Sequence, residues 1–311
     1  MSKETKKKMK LWKKIVIWVL AVLVVTMIGG GVYAYSIYNN AKKTVNDQMH
    51  KEVTNIDQKV TKQKVDQLET LNVLLLGVDA RANDAGRSDT LMVLTLNPQN
   101  DQMQILSIPR DTRTTIVGKG IEDKINHAYA FGGIDMSIAT VENMLDIELD
   151  YYVEMNMEGL TELINELDGI TVQNELDWEG DNGFHYKKGE LHLDGLEALG
   201  YVRMRKQDPS GDFGRTARQR QVVEATIDKG ATIASVGKIN NYIDILGGNM
   251  ETNMDFDDMR NLLLNYKDVR RNTSEYMLQG TGMTIDGIYY YLVSDEELQK
   301  VNGMMVGNNQ E

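Results

Sequence analysis

The chain contains no cysteine, which excludes disulfide bonds, thiolate zinc sites and a cysteine nucleophile. Its four histidines (His50, His127, His185 and His192) show no metal-binding spacing, so zinc chemistry is not expected. Positive charge is scarce as well, because 34 Lys and Arg face 46 Asp and Glu, giving a net charge of −12. A broad nucleic-acid-binding surface requires a basic domain, so nucleic acid is not an expected partner.

The remaining composition is that of a globular protein. Apolar residues make up 41% and charged residues 26% of the 311 positions, which allows a sizeable core. Prolines are only three, and neither an internal repeat nor a low-complexity tract is visible. The length allows one large domain or two ordinary ones.

The N-terminus joins a basic tail to a long uncharged run. Residues 1–14 contain seven Lys and one Glu, and residues 15–38 contain no charged side chain. At a rise of about 1.5 Å per residue the run spans about 36 Å, more than a hydrocarbon core of about 30 Å. A cleaved signal peptide is the alternative, but no clear small-residue cleavage site precedes the polar region that follows. We therefore predict an uncleaved transmembrane signal anchor at 15–38.

The positive-inside rule then sets the topology. It places the basic tail, 1–14, in the cytoplasm and the rest of the chain after the anchor outside the cell membrane. An exported domain without cysteine is common in Gram-positive bacteria, which suggests such a host.

After the anchor, the pattern predicts a spacer and one folded domain. Residues 39–70 are polar with a thin stripe of apolar positions, which predicts a helical stalk near the membrane. The folded domain is predicted to cover 71–311. Its first strands are expected at 72–76, 90–96 and 102–108, and an Asn-Pro-Gln-Asn turn at 97–100 makes the last two a hairpin. Helical patterns follow in alternation with strands, so the predicted fold class is α/β: a mixed central sheet sandwiched by helices, behind one transmembrane helix.

Two carboxylates flank the loop between the first two predicted strands. Asp79 directly follows the first strand, and Asp89 directly precedes the second. Ends of adjacent strands lie at one edge of a sheet, where α/β ligand sites form. Oxygen ligands there suit Mg²⁺, which combines one or two carboxylates with substrate phosphates. Ordinary turn chemistry is the alternative, since Asp is favoured in loops beside Gly.

Charged residues also follow the third predicted strand. Pro109 ends that strand and fixes the point where Arg110 and Asp111 emerge. An exposed ion pair worth less than about 1 kcal/mol is the alternative for these two. Lys124 lies at the start of another predicted helix and offers a second kind of phosphate donor.

Five of the twelve arginines crowd into residues 203–220. Planar, permanently charged guanidinium groups suit bidentate binding of phosphate. A surface helix covered with salt bridges is the alternative. A strand predicted at 201–205 would turn Arg203 and Arg205 to one face. On a helix beginning near Phe213, residues Arg215, Arg218 and Gln219 share a face, whereas Arg220 projects elsewhere and is predicted to form a structural ion pair.

Taken together, these motifs resemble the LytR-CpsA-Psr family of cell-wall glycopolymer ligases. The resemblance covers 71 to about 306, and its motifs share their order and spacing with that family. They are Gly77-Val-Asp79-Ala-Arg81, Gly86-Arg-Ser-Asp89-Thr, Ser107-Ile-Pro-Arg110-Asp111-Thr, Lys124-Ile-Asn126-His127-Ala, and Arg203-Met-Arg205 followed by Asp212-Phe-Gly-Arg215-Thr-Ala-Arg218-Gln219-Arg220. Each motif is weak alone, but five in order make a specific match.

The resemblance implies a phosphotransferase outside the membrane that moves a glycopolymer, with one phosphate, from a polyprenyl-pyrophosphate lipid to peptidoglycan. It implies Mg²⁺ (or Mn²⁺) on Asp79 and Asp89. It also implies a pyrophosphate cradle, expected to comprise Arg87, Arg110, Lys124, Arg203, Arg205, Arg215, Arg218 and Gln219.

Three points stay open at this level. The catalytic candidates are Arg110, Asp111 and Asp212, and either carboxylate is a candidate general base, although capping is the alternative for Asp212. A non-catalytic membrane regulator or transcription attenuator is one alternative function, and a lipid pyrophosphatase is another. The lipid would need an apolar tunnel, which sheet and helices could line.

Overall fold

A computed structural model describes residues 11–78, 86, 88–181, 183–231 and 239–306. Of residues 11–25, 27, 28, 231, 239 and 240, the backbone alone is described. Within this part of the chain, no helix is both long and apolar enough to cross a bilayer. The tail at 1–10 lies outside the described residues, as do many of the anchor's side chains, so the anchor stays a prediction.

The described chain alternates helices and strands. The helices are α1 Leu11–Thr44, α2 Gln58–Asp66, α3 His127–Leu145, α4 Met157–Glu166, α5 Gly195–Arg203, α6 Asp212–Ala231, α7 Ile239–Asn249, α8 Phe256–Asn265 and α9 Asp295–Val306, with a π-helical segment Val45–Met49 and a 3-10 turn Val269–Arg271. The strands are β1 Leu71–Val78, β2 Ser88–Asn97, β3 Gln102–Ser107, β4 Arg113–Ile116, β5 Ile121–Lys124, β6 Tyr151–Asn156, β7 Ile170–Asn174, β8 Trp178–Glu179, β9 His185–Tyr186, β10 Gly189–Leu193, β11 Met250–Thr252, β12 Asn272–Met277, β13 Thr281–Ile285 and β14 Ile288–Leu292.

A six-stranded mixed sheet forms the centre, in the order β11-β6-β1-β2-β3-β12. The apolar runs of β1 and β2 explain their central place, since both strands are covered on both faces. The β2–β3 hairpin predicted around the Asn-Pro-Gln-Asn turn is confirmed. In that turn Asn97 accepts hydrogen bonds from the backbone N–H groups of Gln99 at 3.0 Å and Asn100 at 3.2 Å. The predicted α/β class with a sheet between helices is therefore correct.

Two helical layers bury the two faces of this sheet. Helices α3 and α9 cover one face through residues such as Ile138, Val141 and Val301. Helices α2, α6 and α8 cover the other, with Val65 and Tyr266 among the buried contacts. A third apolar cluster joins α4, α5 and α6 to the small strands β7–β10. This cluster carries the arginine-rich segment.

The segment predicted as a stalk packs onto the domain. Ile37, Ala41, Val45 and Met49 are buried at successive four-residue intervals, which is one face of a helix. Ile56 joins the core below α3. The thin apolar stripe is therefore a packing face, and the folded unit begins before residue 71.

Candidate functional site

A β-bulge at the start of β2 positions Asp89, one of the two predicted metal-binding carboxylates. In the β1–β2 ladder Gly77 pairs with Thr90 and Val78 pairs with Ser88, which leaves Asp89 as the extra residue. Bulges interrupt the ladder and re-aim a side chain, and they are common beside active sites. Asp89 thus lies next to the end of β1. The other predicted residues of this loop, Asp79 and Arg87, lie outside the described residues.

Arg110 connects the loop carboxylate to the arginine-rich segment. Its Nη1 donates to Asp89 Oδ1, and its Nε lies 3.7 Å from Asp212 Oδ2. Burial lowers the pKa of Arg110. The hydrogen bond and charge of Asp89, together with the charges of Asp212 and Asp111, outweigh burial and hold that pKa above its usual value. The structure therefore brings together three of the predicted site residues, Asp89, Arg110 and Asp212.

Arg215 is the next cation of this group and is largely buried. Its Nη2 lies 2.6 Å from Asp212 Oδ1, and its side chain is only 11% exposed. Burial lowers its pKa, and the positive charges of Arg110 and Arg205 lower it further against the opposing charges of Asp212 and Asp89. The buried Nε atoms of Arg110 and Arg215 have no hydrogen-bond partner among the described residues. Unpaired buried N–H donors favour an added hydrogen-bond acceptor, such as an anion.

Lys124 and Asp111 extend the cluster on its other side. The Lys124 Nζ lies 2.7 Å from Asp111 Oδ1. Lys124 ends strand β5 and is not the start of a helix, because α3 begins at His127. The β4–β5 hairpin pairs Arg113 with Lys124 and thereby fixes the position of the lysine.

The predicted strand at 201–205 is wrong. Helix α5 continues to Arg203, after which Met204 is extended and Arg205 lies in the following loop. A capping box at Asp194 starts this helix and Gly200 does not interrupt it. Arg203 and Arg205 are exposed, and both line a groove of about 660 Å³ together with Arg215. The two arginines thus reach a common groove from a helix end and a loop.

Helices α5 and α6, which line this groove, also line an apolar cavity of about 300 Å³. The sheet, α4, α6 and α7 form its walls. Its lining includes Leu75, Leu94, Val153, Leu160, Val223, Ile227 and Leu246. Gln219 also lines it, one helical turn beyond Arg215, and is nearly buried. Val202, adjacent to Arg203, lines it as well. Helices α5 and α6 therefore contribute to both the apolar cavity and the cationic groove.

Arg218 was predicted to bind the pyrophosphate, but its guanidinium is engaged within the protein. Its Nε, Nη1 and Nη2 donate to Tyr201 O, Asp208 Oδ2 and Met204 O, and the side chain is buried. These intramolecular bonds engage the face that a phosphate would need. The prediction for Arg220 is confirmed, since it is paired with Glu275 away from the groove.

The donor set at Asp89 is compatible with a divalent cation, although the described part of the site is incomplete. A carboxylate supplies the hard oxygen atoms that Mg²⁺ and Mn²⁺ prefer. Within the described ranges, no group of three His, Asp or Glu side chains could hold a metal alone. A site on Asp89 would draw further oxygens from Asp79, which is outside those ranges, and from substrate phosphate.

Sequence reasoning missed two buried polar residues, Ser88 next to Asp89 in the chain and Asn126 in contact with Arg110. Ser88 and Asn126 are buried, and Ser88 Oγ and Asn126 Oδ1 have no hydrogen-bond partner among the described residues. Asn126 also bonds through its backbone N–H to Arg110 O at 3.3 Å. Both lie inside motifs that were noted for their charged members.

Comparison with known proteins identifies the family of this chain. The LytR_cpsA_psr family model matches residues 31–306. A polyisoprenyl-teichoic acid–peptidoglycan teichoic acid transferase TagU of Bacillus mycoides is 46% identical over 94% of this chain and 97% of its own length. The crystal structure of Bacillus subtilis TagU has a TM-score of 0.64 at 40% identity, covering 78% of this chain and 98% of that one. A structure of TagT bound to LI-WTA has a TM-score of 0.70 at 32% identity, covering 84% and 100%. This chain belongs to the LytR-CpsA-Psr family.

Proposed function

We propose that the protein is a phosphotransferase that moves a glycopolymer, with one phosphate, from a polyprenyl-pyrophosphate lipid to peptidoglycan. The relatives named above are teichoic acid transferases, so a polymer of the teichoic acid type is the proposed cargo. The other product is the polyprenyl phosphate. We also propose that residues 15–38 anchor the chain in the cell membrane, with the tail inside and the domain outside.

One observation carries the proposal: α5 and α6 each supply closely spaced residues to an apolar cavity and to a cationic groove. Val202 and Gln219 line the cavity, and their neighbours Arg203 and Arg215 line the groove. A polyprenyl pyrophosphate has the same division into an apolar chain and a dianionic head. Its chain would occupy the cavity while its phosphates lie against the arginines.

Transfer then depends on charge and position more than on covalent catalysis by the protein. The acceptor hydroxyl oxygen attacks the phosphorus that carries the glycopolymer. The bond from that phosphorus to the bridging oxygen breaks, and the lipid leaves as its monophosphate. Arg203, Arg205 and Arg215 stabilise the charge that develops on the phosphate oxygens.

The hydroxyl proton passes to a carboxylate of the site or to solvent. Asp111 and Asp212 are the two proposed bases, and each is already held by a cation, Lys124 and Arg215 respectively. Arg110 bridges Asp89 and Asp212 and so fixes the loop side of the site. Asp89 and Asp79 would hold Mg²⁺ or Mn²⁺, which supplies charge neutralisation on the pyrophosphate when bound.

Reconstitution tests this function directly. The purified full-length protein in detergent is mixed with Mg²⁺, a polyprenyl-pyrophosphate-linked glycan and peptidoglycan, and peptidoglycan-bound glycan and polyprenyl phosphate are measured. We expect both products, with loss of both when a chelator removes the metal. The Arg203→Ala variant should lose about 10²- to 10³-fold in turnover, as expected for one charge-stabilising donor. Arg220→Gln is the matched control and should retain turnover.

The outcomes separate the alternatives. Polyprenyl phosphate formed equally without peptidoglycan identifies a lipid pyrophosphatase. A folded Arg203→Ala variant with normal turnover contradicts the proposed site. A C-terminal reporter located in the cytoplasm contradicts the proposed topology and favours the regulator.

A further inference from the structure

We infer that Arg218 is a positioning residue, which sets the two arms of the cationic groove relative to each other without touching the ligand. One arm is the end of α5 and the loop after it, with Arg203 and Arg205. The other arm is α6, with Arg215. The identity of the ligand rests on the proposed function, whereas the role of Arg218 rests on the contacts described next.

The Arg218 guanidinium fastens the first arm to the second. The side chain belongs to α6 and is 7% exposed. Its Nε donates to Tyr201 O at 3.1 Å and its Nη2 to Met204 O at 2.6 Å. Both acceptors are carbonyls at the C-terminal end of α5, where a helix leaves carbonyls unpaired. These bonds bracket Arg203 in sequence on both sides.

The third contact fixes the loop that carries Arg205. Arg218 Nη1 donates to Asp208 Oδ2 at 2.6 Å, and Asp208 Oδ1 accepts from Ser210 N at 2.7 Å. Asp208 is therefore held on both oxygens, and it closes the loop by bonding Gly211 N through its carbonyl at 2.9 Å.

Gly214 shows how closely the loop approaches α6. A Cβ atom built on Gly214 would lie 1.7 Å from Asp208 Oδ2. No side chain fits there without displacing the carboxylate, so the glycine permits the ion pair.

The three Arg218 contacts, which together form a clamp, position Arg203 and Arg205, and these two arginines have little other support. Arg203 and Arg205 are exposed, and neither forms an ion pair within the described part of the chain. Their location thus follows from the backbone that Arg218 holds. Because a displacement of about 1 Å in a positioned group can cost about 100-fold in rate, a small shift of this backbone should reduce turnover.

Lysine is the informative substitution at this position. It keeps the charge and reaches one acceptor, but it cannot donate in three directions from a planar fork. The guanidinium also lies 5.5 Å from the ring centre of Trp178 and 5.9 Å from that of Tyr201, an arrangement that favours a planar cation. We expect Arg218→Lys to fold and to bind a polyprenyl pyrophosphate in detergent micelles about 10-fold more weakly.

A double-mutant cycle distinguishes positioning from general structural support. Binding of the polyprenyl pyrophosphate is measured by titration calorimetry for wild type, Arg203→Ala, Arg218→Lys and the double variant. Arg203→Ala should weaken binding about 10-fold in the wild-type background. In the Arg218→Lys background it should weaken binding less than about threefold, because Arg203 is already misplaced. Lys124→Ala, on strand β5, should have the same effect in both backgrounds.

Each outcome decides between the two roles. Equal effects of Arg203→Ala in both backgrounds overturn the positioning role. If Arg218→Lys fails to fold, the same cycle with Asp208→Asn decides, since asparagine keeps the Ser210 contact and loses the ion pair. If Arg203→Ala binds the lipid normally in the wild-type background, the proposed function is contradicted, and that result is distinct from a failure of the positioning role of Arg218. Arg220→Lys, also on α6, should leave binding unchanged.

Discussion

Arg215 should make opposite contributions to folding and to binding. Its side chain is 11% exposed, and burial together with Arg110 and Arg205 lowers its pKa. A lowered pKa means that the folded protein disfavours the charged form of this side chain. We therefore predict that Arg215→Met loses ligand affinity without losing stability.

The magnitudes follow from its contacts. The buried Nε of Arg215 lacks a hydrogen-bond partner among the described residues, and such a group costs about 1–3 kcal/mol. Methionine removes that cost and keeps an apolar stem of similar length. The loss of the contact with Asp212 costs about 1 kcal/mol, since Asp212 keeps Arg110 as a neighbour at 3.7 Å. The free energy of unfolding should thus remain within about 1 kcal/mol of wild type or rise.

Binding should respond in the other direction. Charge-assisted contacts from a guanidinium to a phosphate contribute about 1.5–3 kcal/mol each. Loss of one such contact weakens affinity by about 10- to 150-fold. We expect this loss for a polyprenyl pyrophosphate measured by titration calorimetry, while stability is measured by urea unfolding.

Arg220→Met is the control with the opposite pattern. Arg220 donates to Glu275 and, at 3.2 Å, to Ser107 Oγ. Its removal should lower stability by about 1–3 kcal/mol and leave affinity unchanged. An Arg215→Met variant that unfolds several kcal/mol more easily than wild type while it binds the lipid normally would refute this prediction.

Two further predictions concern pH and the apolar cavity. Burial and a hydrogen bond to Glu275 raise the pKa of Glu224 from 4.5 to about 7. The contribution of Glu224 to stability is therefore complete below about pH 4.5 and is lost as pH rises through 7. Glu224→Gln should stabilise the protein at pH 8 by roughly 1 kcal/mol, after allowance for solvent screening, but not at pH 5, and thermal melting at both pH values measures this difference. If Glu224→Gln stabilised the protein more at pH 5 than at pH 8, the raised pKa of Glu224 would be contradicted. Val223→Trp should fill part of the cavity and exclude about four methylene groups of the lipid chain, which should weaken polyprenyl pyrophosphate binding roughly 100-fold. Unchanged lipid affinity in calorimetry would exclude this cavity as the lipid site.

The central sheet was predictable because burial on both faces leaves a simple pattern. β1 and β2 are continuous apolar runs, and Asn97 with its neighbours specifies the turn to β3. Pairings between distant segments were not predictable. The edge strands β11 and β12 join the sheet beside β6 and β3, about 100 and 170 residues away in sequence, and short segments carry no register signal of their own.

The misassigned segment at 201–205 shows a different limit. Gly200 suggested a turn, but the capping box at Asp194 and the buried residues Ala198, Tyr201 and Val202 continue the helix to Arg203. Tertiary burial of that face outweighs the helix cost of one glycine, about 1 kcal/mol. A strand would have put Arg203 and Arg205 on one face; the helix end and loop still bring both to the same groove.

Charge alone could not separate the five arginines of 203–220 into ligands and supports. Their chemistry is identical, so the role of each depends on the carboxylates nearby. Arg218 is engaged by Asp208, ten residues away, and Arg220 by Glu275, fifty-five residues away. Helical spacing sufficed for Arg220, which faces away from its neighbours, but not for Arg218, which shares a helical face with Arg215. Only the return of the α5–α6 loop onto that face distinguishes them, and this return requires Gly214, whose lack of a side chain admits the Asp208 carboxylate. The cationic groove is therefore specified as much by a glycine and a buried aspartate as by the arginines that line it.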